Sequence, residues 1–560
     1  MRLFGMVVTA AALISGQALA QPVISSAVNS AGYMRPGLPN GGIAQSSYIA
    51  IFGTNLGPAV PGTGIVSATY PLQTTFQGVS AKIGNTNLFI VYATPTQVGA
   101  VVPGTTPLGN QQLTLTYNGG TSANFPVTVV ARSFGLFTLN QAGTGPAVAF
   151  KYIAQGNEPV STLFQASNPG GVITLYGTGA GAGSTPDDQQ STNPTIPGLD
   201  LSKDVEILVG NKKASIMYFG RPSWGSAIDQ IVATLANDTP TGCYVSLVVR
   251  VAGITSNSTT VSVAPPGKNV CSDPNGYTEE QLTAAAAKGG IRVGNISLGK
   301  IASSVSAAGQ SFNLVSDSLS GSFFSFTADQ LIRSQGSAST LSIGSCQVFT
   351  FEGDNPGTVD PTTPTWLDAG AQLTATNSNG NQTLTKQSVG NYSKSISVGP
   401  SFPGVPSSPE YLTTGNHSVA GPGGTGVGSF NASVIWPAVF VWSNKDQTNI
   451  VNRANGVTVN WTGGDDSGYV SVVGFSAASI SNKPVGAVFT CIEAANKHTL
   501  TVPAAITALL PVTATIEGSP MGNLSVTGIS APKSFTTAAP VLDVANIIYS
   551  SSHSKMVSFQ

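Results

Sequence analysis

The sequence predicts an all-β protein: two tandem β-sandwiches followed by a larger C-terminal β-sandwich region. Three observations carry that expectation. Apolar residues recur at period two in short runs, as at Leu113, Leu115 and Tyr117, or Val245, Leu247 and Val249. This is the pattern of a strand with one buried face and one wet face. Gly and Asn turns separate the runs at short spacing. Finally, the first half of the chain repeats itself.

In chain order, the first segment reads as a signal peptide. Met1-Arg2 is basic, Leu3 to Ile14 is apolar, and Ala18-Leu19-Ala20 is a small-x-small cleavage signal. Residues 1–20 are therefore expected to be removed before Gln21. The apolar run is shorter than the roughly 20 residues a membrane span needs, and no later run is long enough. The expectation is an exported chain with no transmembrane segment after cleavage, extracellular or at the cell surface, with the periplasm as the other compartment open to it.

The repeat fixes the next two units. Pro39-Asn40-Gly41-Gly42 precedes "SYIAIFGTNLGPA", and Asn168-Pro169-Gly170-Gly171 precedes "VITLYGTGAGAG". Further on, "VSAKIGNTNLFIVYATPTQVGAVVP" matches "VEILVGNKKASIMYFGRPSWGSAIDQIVATL". The offset is 124 from Gly53 to Gly177, 126 from Gly84 to Gly210 and 133 from Gln97 to Gln230. The drift of 9 places insertions in loops of the second copy, such as "GRPSWGSA". Two copies of one domain are expected, at 21–140 and 141–270.

The repeat also explains the glycine burst "GTGAGAG" after Val172-Ile173-Thr174-Leu175. A dinucleotide loop needs a helix and a later acidic residue, and a P-loop needs Gly-Lys-Ser/Thr. Here Ser184-Thr185-Pro186-Asp187-Asp188 comes next, and the first copy reads Gly53-Thr54-Asn55-Leu56-Gly57. What the copies share is a strand ending in a turn of positive φ, where Gly or Asn is least strained. Asn55 stands where Gly179 does.

The motifs "IAIFGTNLGPA", "IGNTN" and "TPTQVGAVVP" resemble an IPT/TIG immunoglobulin-like domain. In particular they are similar to the Solibacter uncharacterised C-terminal domain family, found in secreted proteins of soil acidobacteria. The second copy keeps "GTGAG", "VGNKK" and "DQIVATL". The resemblance covers about 22–270. It implies an immunoglobulin-like fold and export, and it brings no catalytic or binding residues, because the family has none assigned.

Residues 271–290 read as a linker with one short helix in "TEEQLTAAAAKGG". Thr278 caps it, Gln281 completes a capping box and Gly289 stops it. From 291 to 560 the strand pattern returns, as one large sandwich or two small modules. Its segment from "YLTTGNHSVAGPGG" to "LTVPAAI" is similar to C-terminal regions of other acidobacterial secreted proteins. Two proline-rich loops, 353–365 and 399–409, are expected to be exposed.

Charged residues make up 8% of the chain, against a typical value of about 25%, and the net charge is −1. A 41% hydrophobic content argues against disorder. Near-neutrality leaves no electrostatic footprint for nucleic acid. No HExxH or GxSxG occurs, and His417, His498 and His553 lie far apart. The acidic pairs Asp187-Asp188 and Asp465-Asp466, and Glu352 with Asp354, lack the calcium-loop pattern and read as turn residues. No catalytic set, metal or cofactor is expected.

Four cysteines, Cys243, Cys271, Cys346 and Cys491, suit disulfides in an exported chain. Three connectivities are possible on count alone. Position favours Cys243 with Cys271, since Cys243 begins a strand of the second repeat and Cys271 lies just past its last strand. By elimination Cys346 would pair with Cys491. Trp436, Trp442 and Trp461 cluster in the C-terminal region. They are candidates for stacking on sugar rings, although core packing is the reading aromatic strand residues favour.

Two functions from different classes fit this sequence. One is a non-catalytic surface protein acting in adhesion or polymer binding, with an extracellular polysaccharide or surface protein as partner. The other is a hydrolase of polysaccharide with an unrecognised active site in the C-terminal region. A flat face of aligned aromatics distinguishes the first. Converging carboxylates or a His–acid pair in a cleft distinguish the second. Oligomeric state stays open.

Overall fold

A computed structural model describes residues 21–62, 64–307, 310–334, 341–352, 363–398, 409–437, 439–480 and 483–560. The expected signal peptide and most of both proline-rich loops lie outside the described residues. The described residues are nearly all β, with a few short helices. No described helix is long and apolar enough to cross a membrane.

Strand alternation builds the first unit. In Tyr48–Thr54 the side chains of Ile49 and Ile51 are fully buried, while Tyr48 and Phe52 point the other way and are half-buried. This strand lies between Val23–Asn29 and Gln97–Val101, with Phe89–Ala93 beyond. A second sheet, built on Phe125–Val130, Gly109–Tyr117 and Val79–Ile83, faces it. Ile49, Ile51, Val98, Ile83, Leu113 and Val129 fill the space between.

The second unit repeats this strand order. Gly135–Leu136, Val172–Thr178, Asp229–Thr234 and Ser215–Gly220 form one sheet, with Ala149–Lys151 added beside Val172–Thr178. Thr259–Val263, Gly242–Val251 and Val205–Val209 form the heart of the other. Even the irregularities recur. A bulge between Ile90 and Tyr92 has its counterpart between Ile216 and Tyr218.

The helix Glu279–Lys288 forms with the expected signals. Thr278 Oγ1 accepts from the Gln281 amide at 3.3 Å, Gln281 Oε1 accepts from the Thr278 amide at 3.0 Å, and Gly289 ends it at φ 76°. Leu282 and Ala285 pack with Tyr244, Val293, Tyr469 and Ile492. The segment expected as a linker is thus knit between the second unit and the C-terminal region.

That region is built on one continuous 14-stranded sheet. Its middle is the long hairpin Gly290–Ala307 and Gln310–Thr327, flanked by Val544–Met556 and Asn391–Val398. The pairing of Gly290–Ala307 with Val544–Met556 is parallel. The sheet serves two cores. One, around Phe323, Leu373, Val419 and Ile547, forms where the sheet curls back until Trp436 meets Tyr549 at 5.1 Å. The other, around Val472, Phe489 and Leu524, is covered by the small sheet Val441–Trp442, Val457–Thr462 and Thr499–Val502.

Candidate functional site

The glycine burst sits where the two sandwiches meet. Gly179 has φ +101°, and a β carbon there would fall 2.3 Å from the Ser133 carbonyl oxygen. The turn must lie against the connection between the units, which leaves no room for a side chain. Asn55, at the matching position of the first copy, has φ 56°. The joint is hydrogen-bonded from both sides. Asn29 Nδ2 donates to the carbonyls of Ser133 (3.0 Å) and Thr178 (3.1 Å), and the Tyr48 amide donates to Thr178 Oγ1 at 2.8 Å.

A buried ion pair closes the joint. Arg221 Nη1 lies 2.8 Å from Asp229 Oδ1, with both side chains almost wholly buried. Arg221 Nη2 donates to Ser46 O at 3.0 Å and to Gly181 O at 2.6 Å, so one guanidinium ties both units. Burial pushes the Asp229 carboxyl up to about 6, against the pull of Arg221 and of the Ala180 amide, which donates to Oδ2 at 2.8 Å.

This joint holds the outer faces of two equivalent sheets beside one groove. The first sandwich presents Tyr48, Phe52 and Tyr92, with Tyr33 at 6.1 Å from the Phe52 ring. The second presents Tyr176, at the repeat position of Phe52. Its ring meets Phe150 edge-on at 5.7 Å and Trp224 at 5.7 Å. Trp224 is 54% exposed and comes from the inserted loop "GRPSWGSA". That loop is pinned to the first sandwich, because the Ser226 amide donates to the Tyr70 hydroxyl at 2.8 Å.

The groove has a volume of about 680 Å³ and lies beside a second hollow of about 820 Å³. Tyr33, Tyr48, Tyr92 and Gln141 border both. Among the described residues, none with a charge lines the first. Arg35 lines the second, 3.6 Å from Glu352. Burial pushes the Tyr92 phenol up to about 12 and Tyr48 further still, so both remain neutral hydroxyls. Gln97 Nε2 donates to the Tyr92 hydroxyl at 2.7 Å. Ser30 Oγ, shielded at the groove wall, has no hydrogen-bond partner among the described residues. Flat rings with neutral amides and hydroxyls between them can stack on apolar faces and exchange hydrogen bonds.

The residues singled out in the sequence lie elsewhere. Cys243 is bonded to Cys271, and Cys346 to Cys491, its direct cross-strand partner. Trp436, Trp442 and Trp461 are all buried. Trp436 packs on His417 and Tyr549, and Trp442 and Trp461 face each other across adjacent strands. The Trp461 indole donates to Ala495 O at 2.8 Å. None offers an open ring face, so the stacking assignment is corrected: the small covering sheet and the curl of the large one turn these rings inward.

His417 is buried with Nε2 at 2.6 Å from Thr413 O, and His553 Nε2 lies 2.8 Å from Phe440 O. His498 stands on the surface, 3.9 Å from Asp466. Asp465 accepts from the Ser467 amide at 3.0 Å, a turn contact, and Asp187 accepts from the Gly104 amide at 2.7 Å. Among the described residues no three His, Cys, Asp or Glu side chains are grouped to hold a metal.

Sequence reasoning missed Tyr48, Phe52, Tyr92, Phe150, Tyr176 and Trp224. A usable signal was there: Phe52 and Tyr176 occupy one repeat position on the outward side of the strand, and Trp224 lies in the insertion that distinguishes the second copy.

No protein-family model matches the chain, and no curated protein matches it. Solved structures give distant likenesses. The full extracellular region of plexin A4 matches over 43% of this chain at 12% identity and a TM-score of 0.16; the match spans only 18% of the plexin chain. Domains 5–6 of the S-layer protein SbsC match over 44% of this chain and 99% of that one, at 10% identity and a TM-score of 0.17. SGBP-B, from a complex xyloglucan utilization locus in Bacteroides uniformis, matches over 67% of this chain and 86% of that one, at 12% identity and a TM-score of 0.16.

Proposed function

We propose that this chain is an extracellular, non-catalytic β-protein that binds polysaccharide through the aromatic groove between its two sandwiches. The observation that carries the reading is the groove itself. Rings from both sandwiches border one open hollow, and the hydroxyls and amides between them are neutral. Sugar rings have apolar faces for stacking and hydroxyls for the polar groups. Two buried disulfides suit an oxidising compartment. The repeated sandwiches are read as IPT/TIG-like domains of the Solibacter family type.

The test uses the mature chain, residues 21–560, with both disulfides formed. Affinity electrophoresis through gels containing soluble polysaccharides should retard the wild type, and Trp224→Ala should migrate freely. Release of reducing ends from the same polysaccharides would instead establish the hydrolase. Failure of every polysaccharide to retard the wild type would overturn the binding reading.

A further inference from the structure

We infer that the groove takes an uncharged pyranose chain, several units long, laid across the joint so that both sandwiches contact one ligand. The inference rests on the reading of the groove as a polysaccharide site and names its ligand class.

Charge decides the first point. Among the described residues, the 680 Å³ hollow contains no ionisable group other than phenols, and burial keeps those of Tyr48 and Tyr92 protonated. Arg35, in the adjoining hollow, is turned toward Glu352. A uronate or sulfated polymer would lose hydration on entering, and the described lining offers no free cation to replace it. A neutral polymer loses nothing of that kind.

The polar groups decide the second point. Gln97, Gln141 and Tyr92 can both donate and accept. A ligand with hydroxyls on every unit answers both roles. A proline-rich peptide, which also fits aromatic grooves, offers mainly carbonyl acceptors.

Size and position decide the third. Each hollow alone falls within the roughly 300–1,000 Å³ of a small-molecule site, and the two lie side by side, sharing Tyr33, Tyr48, Tyr92 and Gln141. Phe52 and Tyr33 come from the first sandwich, Tyr176 and Trp224 from the second. Tyr70 acts as a positioning residue, holding the Trp224 loop on the first sandwich through Ser226.

The experiment is isothermal titration of the mature chain with neutral β-glucan, xylan and galactomannan oligosaccharides of increasing length, against polygalacturonate and alginate oligosaccharides. A proline-rich peptide is included as competitor. The expected result is neutral-chain binding that tightens with length and changes less than about twofold between low and high salt. Tyr70→Phe should weaken it several-fold without lowering the melting temperature.

Tighter, salt-sensitive binding of the acidic chains overturns the inference, as does a single monosaccharide that competes as well as the longest chain. Displacement by the peptide overturns the ligand class, and full affinity in Tyr70→Phe overturns the bridging. In each of these cases the groove reading stands as long as Trp224→Ala abolishes binding. Binding untouched by Trp224→Ala and Tyr176→Ala sinks the groove reading itself.

Discussion

Gly99 lies directly beneath Tyr92: a β carbon built on Gly99 would fall 2.3 Å from the Tyr92 ring and 2.7 Å from the Tyr48 hydroxyl. Register places Gly99 between Ala50 and Tyr92, so the Tyr92 ring can lie flat on backbone with no side chain beneath it. Gly99→Ala is expected to lift both tyrosines. The overpacking cost is about 1–3 kcal/mol, and polysaccharide affinity should fall about tenfold if stacking weakens by about 1.4 kcal/mol. Thermal melts and titration calorimetry read the two effects separately. Unchanged affinity would mean that Tyr92 and Tyr48 do not contact the polymer.

The two kinds of tryptophan should behave in opposite ways. Trp224 is 54% exposed, and Trp461 is 1% exposed. Trp224→Ala is expected to leave stability within about 0.5 kcal/mol of wild type while abolishing retardation in polysaccharide gels. Trp461→Ala should cost about 3–5 kcal/mol through the cavity it leaves, yet bind normally while folded. Urea melts and affinity gels on both variants check the contrast.

Gly179→Ala should be more harmful than a positive φ alone implies. The conformational cost is about 1 kcal/mol, and the contact with Ser133 O must be relieved as well. A total of about 2–3 kcal/mol is expected. ATP and NAD should shift the melting temperature of neither form. A nucleotide-dependent rise in the wild type that the variant lacks would restore a phosphate-binding role for the loop.

Acid should stabilise this protein through two buried carboxyls. Asp273 accepts from the Cys243 amide at 2.6 Å and from Ser342 Oγ at 3.1 Å, but its Oδ1 has no partner among the described residues. Burial pushes Asp273 up to about 7, and Asp229 up to about 6, from an ordinary 3.8. Both are protonated more readily in the folded chain than in the unfolded one. Their contribution is therefore complete below 3.8 and is lost as pH rises through about 6 and about 7. At roughly 1.4 kcal/mol for each pH unit between the two values, the effect of Asp273 is about 4–5 kcal/mol. Melting temperature should fall between pH 5 and pH 8, and Asp273→Asn should flatten that slope. A slope unchanged in the variant would assign the effect elsewhere.

The disulfides should stabilise unequally. In the chain-entropy model, closing the 145-residue separation of Cys346 and Cys491 is worth about 5 kcal/mol, and the 28-residue separation of Cys243 and Cys271 about 3–4 kcal/mol. Paired Cys→Ser variants in denaturant melts should preserve that order. Peptide mapping without reductant should find no free thiol.

What was legible in the sequence was local. The strand alternation of Tyr48–Thr54, the turn at Asn55 and Gly179, and the capping box of Thr278 and Gln281 depend on residues within a few positions of one another. The groove depends on docking. Asn29 reaches Thr178, and Arg221 reaches Ser46, across more than a hundred positions. No local pattern distinguishes an outward tyrosine that meets solvent from one that meets a second domain. The C-terminal tryptophans failed for the same reason, since Trp461 is turned inward by a small sheet whose strand Thr499–Val502 is distant in sequence, against a core that includes Phe489 and Leu524. The offset drift did expose the loop that carries Trp224, though not its purpose.

The parallel pairing of Gly290–Ala307 with Val544–Met556 sets a timetable for synthesis. Both sandwiches can fold once their own strands have been made, because their partners are near in sequence. The long hairpin 290–327 cannot complete its sheet until the chain has been made as far as residue 556. Until then one edge of an 18-residue strand stays open to other chains. Production of the full protein should be limited by this late closure, whereas the sandwiches acquire their own strands early.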